Sequence, residues 1–153
     1  MSALELKIPP VLATILFAAL MWVTYRQTPG IALTYGVRIL SVSISATLSA
    51  AIGLAAVISF RRANTTVNPL NPEDCSTLVV SGIFRRTRNP MYLALLLSLT
   101  GWAIYLANPF SLLLTAVFIA YMNRFQIVPE ERALEKKFGA AFLEYKQQVR
   151  RWI

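Results

Sequence analysis

The sequence predicts an all-α fold of the membrane-embedded kind: a bundle of about four transmembrane helices, a cytoplasmic loop and a C-terminal amphipathic helix. Three observations carry that expectation. Of the 153 residues, 56% are apolar and only 14% are charged, and the mean hydropathy is +0.55, outside the usual balance of soluble domains. The apolar residues fall in four runs of helical-span length. Finally, the basic residues behind the net charge of +8 flank those runs, where topology and anionic headgroups account for them better than nucleic acid does.

The first run, residues 8–25, is preceded by Lys7 alone, and no clear small-x-small cleavage pattern follows it, so it reads as a retained helix and not a signal peptide. Pro9 and Pro10 are tolerated in a first turn, where an amide hydrogen has no helical acceptor. No lipid-acceptor motif is expected at either end, so the spans themselves are the expected anchor. After the polar turn "QTPG", residues 39–60 form a second span, rich in small residues (Ser41, Ser43, Ser45, Ser49, Ala50, Gly53, Ala56). Such residues let a neighbouring backbone approach closely, which is how helices associate in lipid.

Residues 91–107 and 110–128 form spans three and four, joined through Asn108 and Pro109, too short a connection for anything but a helical hairpin. The apolar part of span four stops at Met122, and Asn123, Arg124 and Gln126 occupy its last turns. Polar groups there either snorkel to the interface or line a site. Residues 61–88 read as a surface loop, Pro- and Asn-rich in "NTTVNPLNPEDC" and extended in "STLVVSGIF". From Pro129 to about residue 150, Leu134, Phe138, Ala141 or Phe142, Tyr145 and Val149 recur at three- and four-residue steps, the pattern of an amphipathic helix resting on lipid and covering the bundle.

Five arginines lie in 61–88 and seven basic residues in 123–153, against Arg26 and Arg38 around the opposite loop. That asymmetry places both polar segments, and with four spans the N-terminus too, on the cytoplasmic side of an inner membrane. The chain has one cysteine, Cys75, and no histidine, which excludes an internal disulfide and leaves no zinc-type spacing. No metal site is expected. An exporter driven by protons needs an intramembrane carboxylate, and the span interiors carry none.

Two constellations remain once packing is accounted for: "RRTRNPMY" at the start of span three and "PEERALEKKFG" after span four. The hairpin brings their ends together, so Arg88, Asn89 and Tyr92 are expected to face Arg124, Glu130 and Glu131 across one small cleft. Each also has a plainer explanation. Adjacent glutamates suit a helix N-terminus through its dipole, and arginines mark the cytoplasmic boundary.

The combination resembles a known superfamily. "STLVVSGIFRRTRNPMY", a short hairpin and "EERALEKKFGAAFLEYKQQVRRWI" are similar to the isoprenylcysteine carboxyl methyltransferases and phospholipid methyltransferases, integral membrane enzymes that use S-adenosylmethionine. The resemblance implies a cofactor site at the cytoplasmic side of the helices. By it, the backbone of Ser76, Thr77, Leu78 and Val79 and the ring of Phe84 surround the cofactor. Asn89, Pro90, Met91 and Tyr92 occupy the family's His-Pro-x-Tyr or Asn-Pro-x-Tyr position, and Glu130 with Glu131 forms its acidic pair.

The chemistry of such a cofactor is coherent with that placement. An adenine, ribose hydroxyls, a zwitterionic end and a sulfonium call for aromatic walls, carboxylate acceptors and a cationic partner. Phe84 and Tyr92 can supply walls, Glu130 or Glu131 acceptors, and Arg88 a counter-ion. Methyl transfer is an in-line displacement on a preactivated carbon, so catalysis can rest largely on alignment and desolvation, with no protein nucleophile. Asn89 stands where prenylcysteine enzymes usually have His, whereas the phosphatidylethanolamine type has Asn-Pro-Met-Tyr as here. The arginine that binds the substrate carboxylate in the prenylcysteine arm falls at Gln126, with Arg124 two residues before, and Arg124 is the candidate for orienting the acceptor. The expected partners are therefore a lipophilic or lipid substrate and membrane lipids. Alternatives are a phospholipid amine or small thiol as acceptor, or a non-enzymatic structural membrane subunit.

Overall fold

The computed structural model describes residues 5–63 and 76–153. Residues 64–75, which include Cys75 and the Pro- and Asn-rich half of the expected loop, lie outside the described residues. All regular structure among the described residues is helical. Helix α1 runs Pro10–Gln27, α2 Tyr35–Arg62, α3 Pro90–Leu106 and α4 Pro109–Met122, followed by α5 Val128–Phe138 and α6 Ala140–Gln148.

A helix forms over each of the four apolar runs, with shifted ends. Proline opens α1, α3 and α4 at the first helical position, where its missing amide hydrogen costs nothing. Helix α2 starts four residues earlier than the apolar run suggests, at Tyr35, because Gly36, Val37 and Arg38 continue the helix beyond the apolar stretch. Two helices are long and apolar enough to cross a membrane: α2, and the continuous rod Pro109–Phe138; α3 is apolar but shorter. The outward faces of α1, α2 and α4 are apolar as well, with Val11, Leu40, Leu54 and Leu113 each at least 60% exposed, an exterior that water does not favour and lipid does.

Helix α3 is the centre, packing against α1, α2 and α4. The small residues of α2 do what their size suggests. Ser49 donates to the Ala94 carbonyl at 2.7 Å and lies 2.8 Å from the Ser98 hydroxyl. At Gly101 a Cβ would stand 2.5 Å from the Ser45 Cβ, so this crossing requires glycine. Met21, Leu99, Phe118 and Met122, each at most 1% exposed, fill the space among α1, α3 and α4, with Phe17 edge-on to Phe118 at 5.3 Å.

The Asn108 hairpin is tied at both ends of its side chain. Its Oδ1 accepts from the Ser111 amide at 2.8 Å, capping α4, while its Nδ2 donates to the Thr28 hydroxyl at 2.8 Å. The Ile31 amide donates to the Ala107 carbonyl at 2.7 Å, joining the α1–α2 connection to the same hairpin.

Three expectations change. "STLVVSGIF" forms no strand; it ends in a 3₁₀ turn, Gly82–Arg85, that buries Phe84. The helix expected over 129–150 is two helices, because Gly139 takes φ 53° and ψ −125°, a conformation available essentially to glycine. Span four also does not stop near residue 128. It passes through a π-helical turn, Asn123–Ile127, directly into α5.

That π turn carries the polar residues at the end of span four, which do not line the cavity described below. The terminal segments of the chain take them up. Leu6 donates its amide to the Phe125 carbonyl at 3.0 Å, and the fully buried Gln126 donates to the Ile8 carbonyl at 2.8 Å. Asn123 accepts from the Trp152 indole at 3.1 Å.

Candidate functional site

Asn89 ends the irregular segment before α3, and Pro90 starts the helix. One turn later Tyr92, 5% exposed, reaches across to α5, where its hydroxyl donates to Glu130 Oε2 at 2.9 Å. Glu131 beside it is held from two sides. Arg88 Nη2 donates to Oε1 at 2.7 Å, and Arg151 donates from Nε to Oε1 at 3.1 Å and from Nη2 to Oε2 at 2.7 Å. Because α5 continues the rod from α4, with the Val128 amide bonded back to the Asn123 carbonyl, the two glutamates do not sit at a free helix N-terminus. The dipole explanation for the pair therefore lapses, and their partners are side chains of α3 and the C-terminal segment.

Arg88 has a second task. Its Nη1 donates to the carbonyls of Lys146 (3.1 Å) and Val149, satisfying the acceptors left open at the end of α6. Its Nε is buried and has no hydrogen-bond partner among the described residues. Asn89 Nδ2 donates to the Arg151 carbonyl at 2.9 Å, and the Arg88 amide donates to the Arg150 carbonyl at 3.0 Å. The start of α3 and the last residues of the chain thus form one hydrogen-bonded unit.

Aromatic side chains close the other wall. Phe84 meets Phe60 edge-on at 5.1 Å, and Phe142 is 2% exposed. The Tyr145 hydroxyl donates to the Phe84 carbonyl at 2.7 Å; burial pushes its pKa up, with the nearby Arg88 charge opposing. Around these groups lies a cavity of about 390 Å³, within the roughly 300–1,000 Å³ typical of small-molecule sites. It extends from Phe60 and Pro90 down the α2–α3 seam to Ser49 and Leu95, with Pro10 and Val11 of α1 on its rim.

Ten of the thirteen candidate residues line this cavity: Leu78, Val79, Phe84, Arg88, Asn89, Pro90, Met91, Tyr92, Glu130 and Glu131. Ser76 and Thr77 are exposed and do not line it. Arg124 lies apart from the other candidates. It pairs with Glu5 at 2.7 Å, its side chain is 55% exposed, and it lines no part of the cavity. In a regular helix Arg124 and Glu131, seven residues apart, would share a face. The intervening π turn accommodates one extra residue and rotates them apart by roughly 100°.

Arg88 is also more occupied than a simple counter-ion would be. Arg151 falls inside the C-terminal stretch that carries the resemblance but was assigned no role by it, and reads, from sequence, as another basic boundary residue. Phe142 and Tyr145 do carry the amphipathic signal, but they face the cavity and not lipid. The contribution of α2 (Ser49, Gly53, Val57, Phe60) was legible only as small-residue packing.

The fold and site define an apolar helical bundle whose polar end closes over a cavity walled by paired carboxylates, a buried guanidinium and aromatic rings. A model of the phospholipid methyltransferase family matches residues 37–141, and the chain belongs to that family, within the superfamily that includes the isoprenylcysteine methyltransferases. It is 34% identical over 95 residues to protein-S-isoprenylcysteine O-methyltransferase A of Arabidopsis thaliana, covering 62% of this chain and 48% of that protein. A probable protein-S-isoprenylcysteine O-methyltransferase of Oryza sativa subsp. japonica is 34% identical over 97 residues, 61% of this chain and 49% of that one. The chain thus spans about half the length of these plant relatives. An uncharacterized protein of Haemophilus influenzae is 49% identical over 63 residues, 41% of this chain and the whole of that protein. No solved structure matches the chain.

Proposed function

We propose that this chain is a multi-pass membrane methyltransferase that takes its methyl group from S-adenosylmethionine and transfers it to a lipophilic acceptor at the cytoplasmic membrane face. The supporting observation is a cavity in which the Tyr92–Glu130 and Arg88–Glu131 pairs continue into the apolar α2–α3 seam. A polar head and an apolar tail would each meet a matching wall there.

The residues present fit the donor. Glu130, fixed by Tyr92, offers a carboxylate to ammonium or hydroxyl groups. The buried Arg88 Nε, without an acceptor among the described residues, suits a carboxylate oxygen; an unsatisfied buried donor would otherwise cost about 1–3 kcal/mol. Phe84 and Phe142 offer flat apolar walls. When bound, S-adenosylmethionine supplies an electrophilic methyl group on a positively charged sulfur. The chain's own contribution is to bind, to align and to exclude water from a largely apolar chamber, with no side chain needed as nucleophile. No part in the transfer falls to Arg124, which lies outside the cavity.

Four spans (α1, α2, α3 and the α4 rod) and a cytoplasmic site are supported by charge placement: the arginines of 61–88 and the basic residues of 123–153 lie on the same side as the cavity's polar end. Prenylcysteine carboxylate is the acceptor favoured by the named relatives, and a phospholipid amine is the alternative favoured by Asn89.

Calorimetric titration of the purified protein in detergent with S-adenosylmethionine tests the donor. Wild type should bind, and Tyr92→Phe, which loses one hydrogen bond to a charged group worth about 1.5–3 kcal/mol, should bind roughly 10- to 100-fold more weakly. Glu130→Gln should weaken binding in the same direction. Absent or equal heat in all three refutes the proposal. Mass spectrometry of host lipid extracts incubated with protein and methyl-labelled donor then distinguishes a labelled prenylcysteine ester from a labelled phospholipid amine.

A further inference from the structure

Val149 to Ile153 form no regular element, yet they are bonded to the start of α3, to the π turn and to α5. The Val149 carbonyl accepts from Arg88. The Arg150 carbonyl accepts from the Arg88 amide at 3.0 Å. The Arg151 carbonyl accepts from Asn89 Nδ2 at 2.9 Å and from the Thr87 hydroxyl at 3.3 Å. Trp152 donates to Asn123 at the start of the π turn. These contacts are all from backbone or from one indole, and they strap the segment beneath the start of α3.

The Arg151 side chain adds something different. Its guanidinium makes the forked, two-oxygen contact with Glu131 at 3.1 and 2.7 Å, the geometry in which arginine fixes a carboxylate in orientation as well as in place. Glu131 is 11% exposed and its other partner, Arg88, 10% exposed, while Arg151 is 34% exposed, so the carboxylate is shielded and the fork reaches it from the partly exposed side. Glu131 and Glu130 are successive residues of one helix, about 100° apart around its axis. Fixing Glu131 against Arg88 and Arg151 therefore fixes the rotation of α5, and with it the position from which Glu130 meets Tyr92 and the cavity.

We infer that Arg151 is a positioning residue for the donor site: through its fork on Glu131 it holds α5 in the rotation that presents Glu130 to the cavity. It does not itself line the cavity, so its effect passes through Glu131. The inference rests on the methyltransferase reading proposed above.

The test is S-adenosylmethionine affinity by calorimetry in detergent, measured together with the melting temperature of the same samples. Arg151→Gln should retain at least most of its thermal stability yet bind on the order of 10- to 100-fold more weakly, the scale of losses when a binding group is displaced by about an ångström. Arg151→Lys keeps the charge but cannot fork, and should recover part of that loss. Glu131→Gln should weaken binding similarly, and the double variant Arg151→Gln/Glu131→Gln should be within about 2-fold of the weaker single variant, because residues that act as one unit are not additive. Wild-type affinity in Arg151→Gln, or fully additive losses in the double variant, overturns the inference while leaving the methyltransferase reading intact. If Arg151→Gln does not fold, Arg151→Lys decides alone: weakened binding at wild-type stability supports the inference, and unchanged binding overturns it. Failure of wild type to bind the donor removes the methyltransferase reading, and this inference with it.

Discussion

Three arginines stand within four residues at the start of α3, and their surroundings predict sharply different losses on replacement by methionine. Arg85 and Arg86 are exposed, so Arg85→Met or Arg86→Met should change stability by no more than about 0.5 kcal/mol. Arg88 is 10% exposed, pairs with Glu131 at 2.7 Å and satisfies two carbonyls at the end of α6. Breaking a buried pair typically costs about 3–5 kcal/mol. Arg151 remains on Glu131, which moderates that term, while each buried carbonyl left without a donor adds about 1–3 kcal/mol. The two carbonyls alone account for about 2–6 kcal/mol, so a loss of at least about 2 kcal/mol follows, or a fall of at least roughly 4 °C in melting temperature for a chain of this length. Tryptophan fluorescence melting in detergent reads it directly, since Trp152 lies in the segment that Arg88 holds. An Arg88→Met protein that melts with the Arg85→Met control would refute the account of Arg88 as the tie between α3, α5 and α6.

Two further outcomes follow from the backbone. Gly139→Ala forces a Cβ into φ 53°, ψ −125° and should cost about 1–3 kcal/mol by the same melting assay, with no loss if the α5–α6 break is not needed. Asn108→Ala removes the α4 cap and the bond to Thr28; a loss of about 1–2 kcal/mol is expected from the cap alone, and thermal denaturation beside Asn123→Ala provides the comparison.

Apolar run length located α1 to α4 to within a few residues, because a helix in lipid has to satisfy its own backbone and so leaves a long uninterrupted signature. The motifs around Tyr92 and Glu130 placed most of the cavity wall, since a two-residue hairpin permits only one way for the ends of α3 and α4 to meet. What stayed hidden depends on contacts far apart in the chain. Glu5 with Arg124, separated by 119 positions, and Arg88 with the Val149 carbonyl leave no periodic mark. Gly139 could have been read as a helix break, but apolar periodicity continues on both sides of it. The π turn has no compositional signal at all, and it separates Arg124 from the glutamates that the hairpin's converging ends were expected to set beside it.

That turn has a consequence for which changes the chain can tolerate. The rod from Pro109 to Phe138 carries two unrelated stripes. One, with Phe118 and Met122, is buried against α1 and α3; the other, with Glu130, Glu131 and Leu134, faces the cavity. The π turn is the phase offset that lets one straight element serve both. Substitutions within Asn123–Ile127 alter a contact or two, whereas removing a single residue there would reset the phase and swing the carboxylate pair away from Tyr92 by about a quarter turn. Across these five positions, spacing is therefore constrained more tightly than identity.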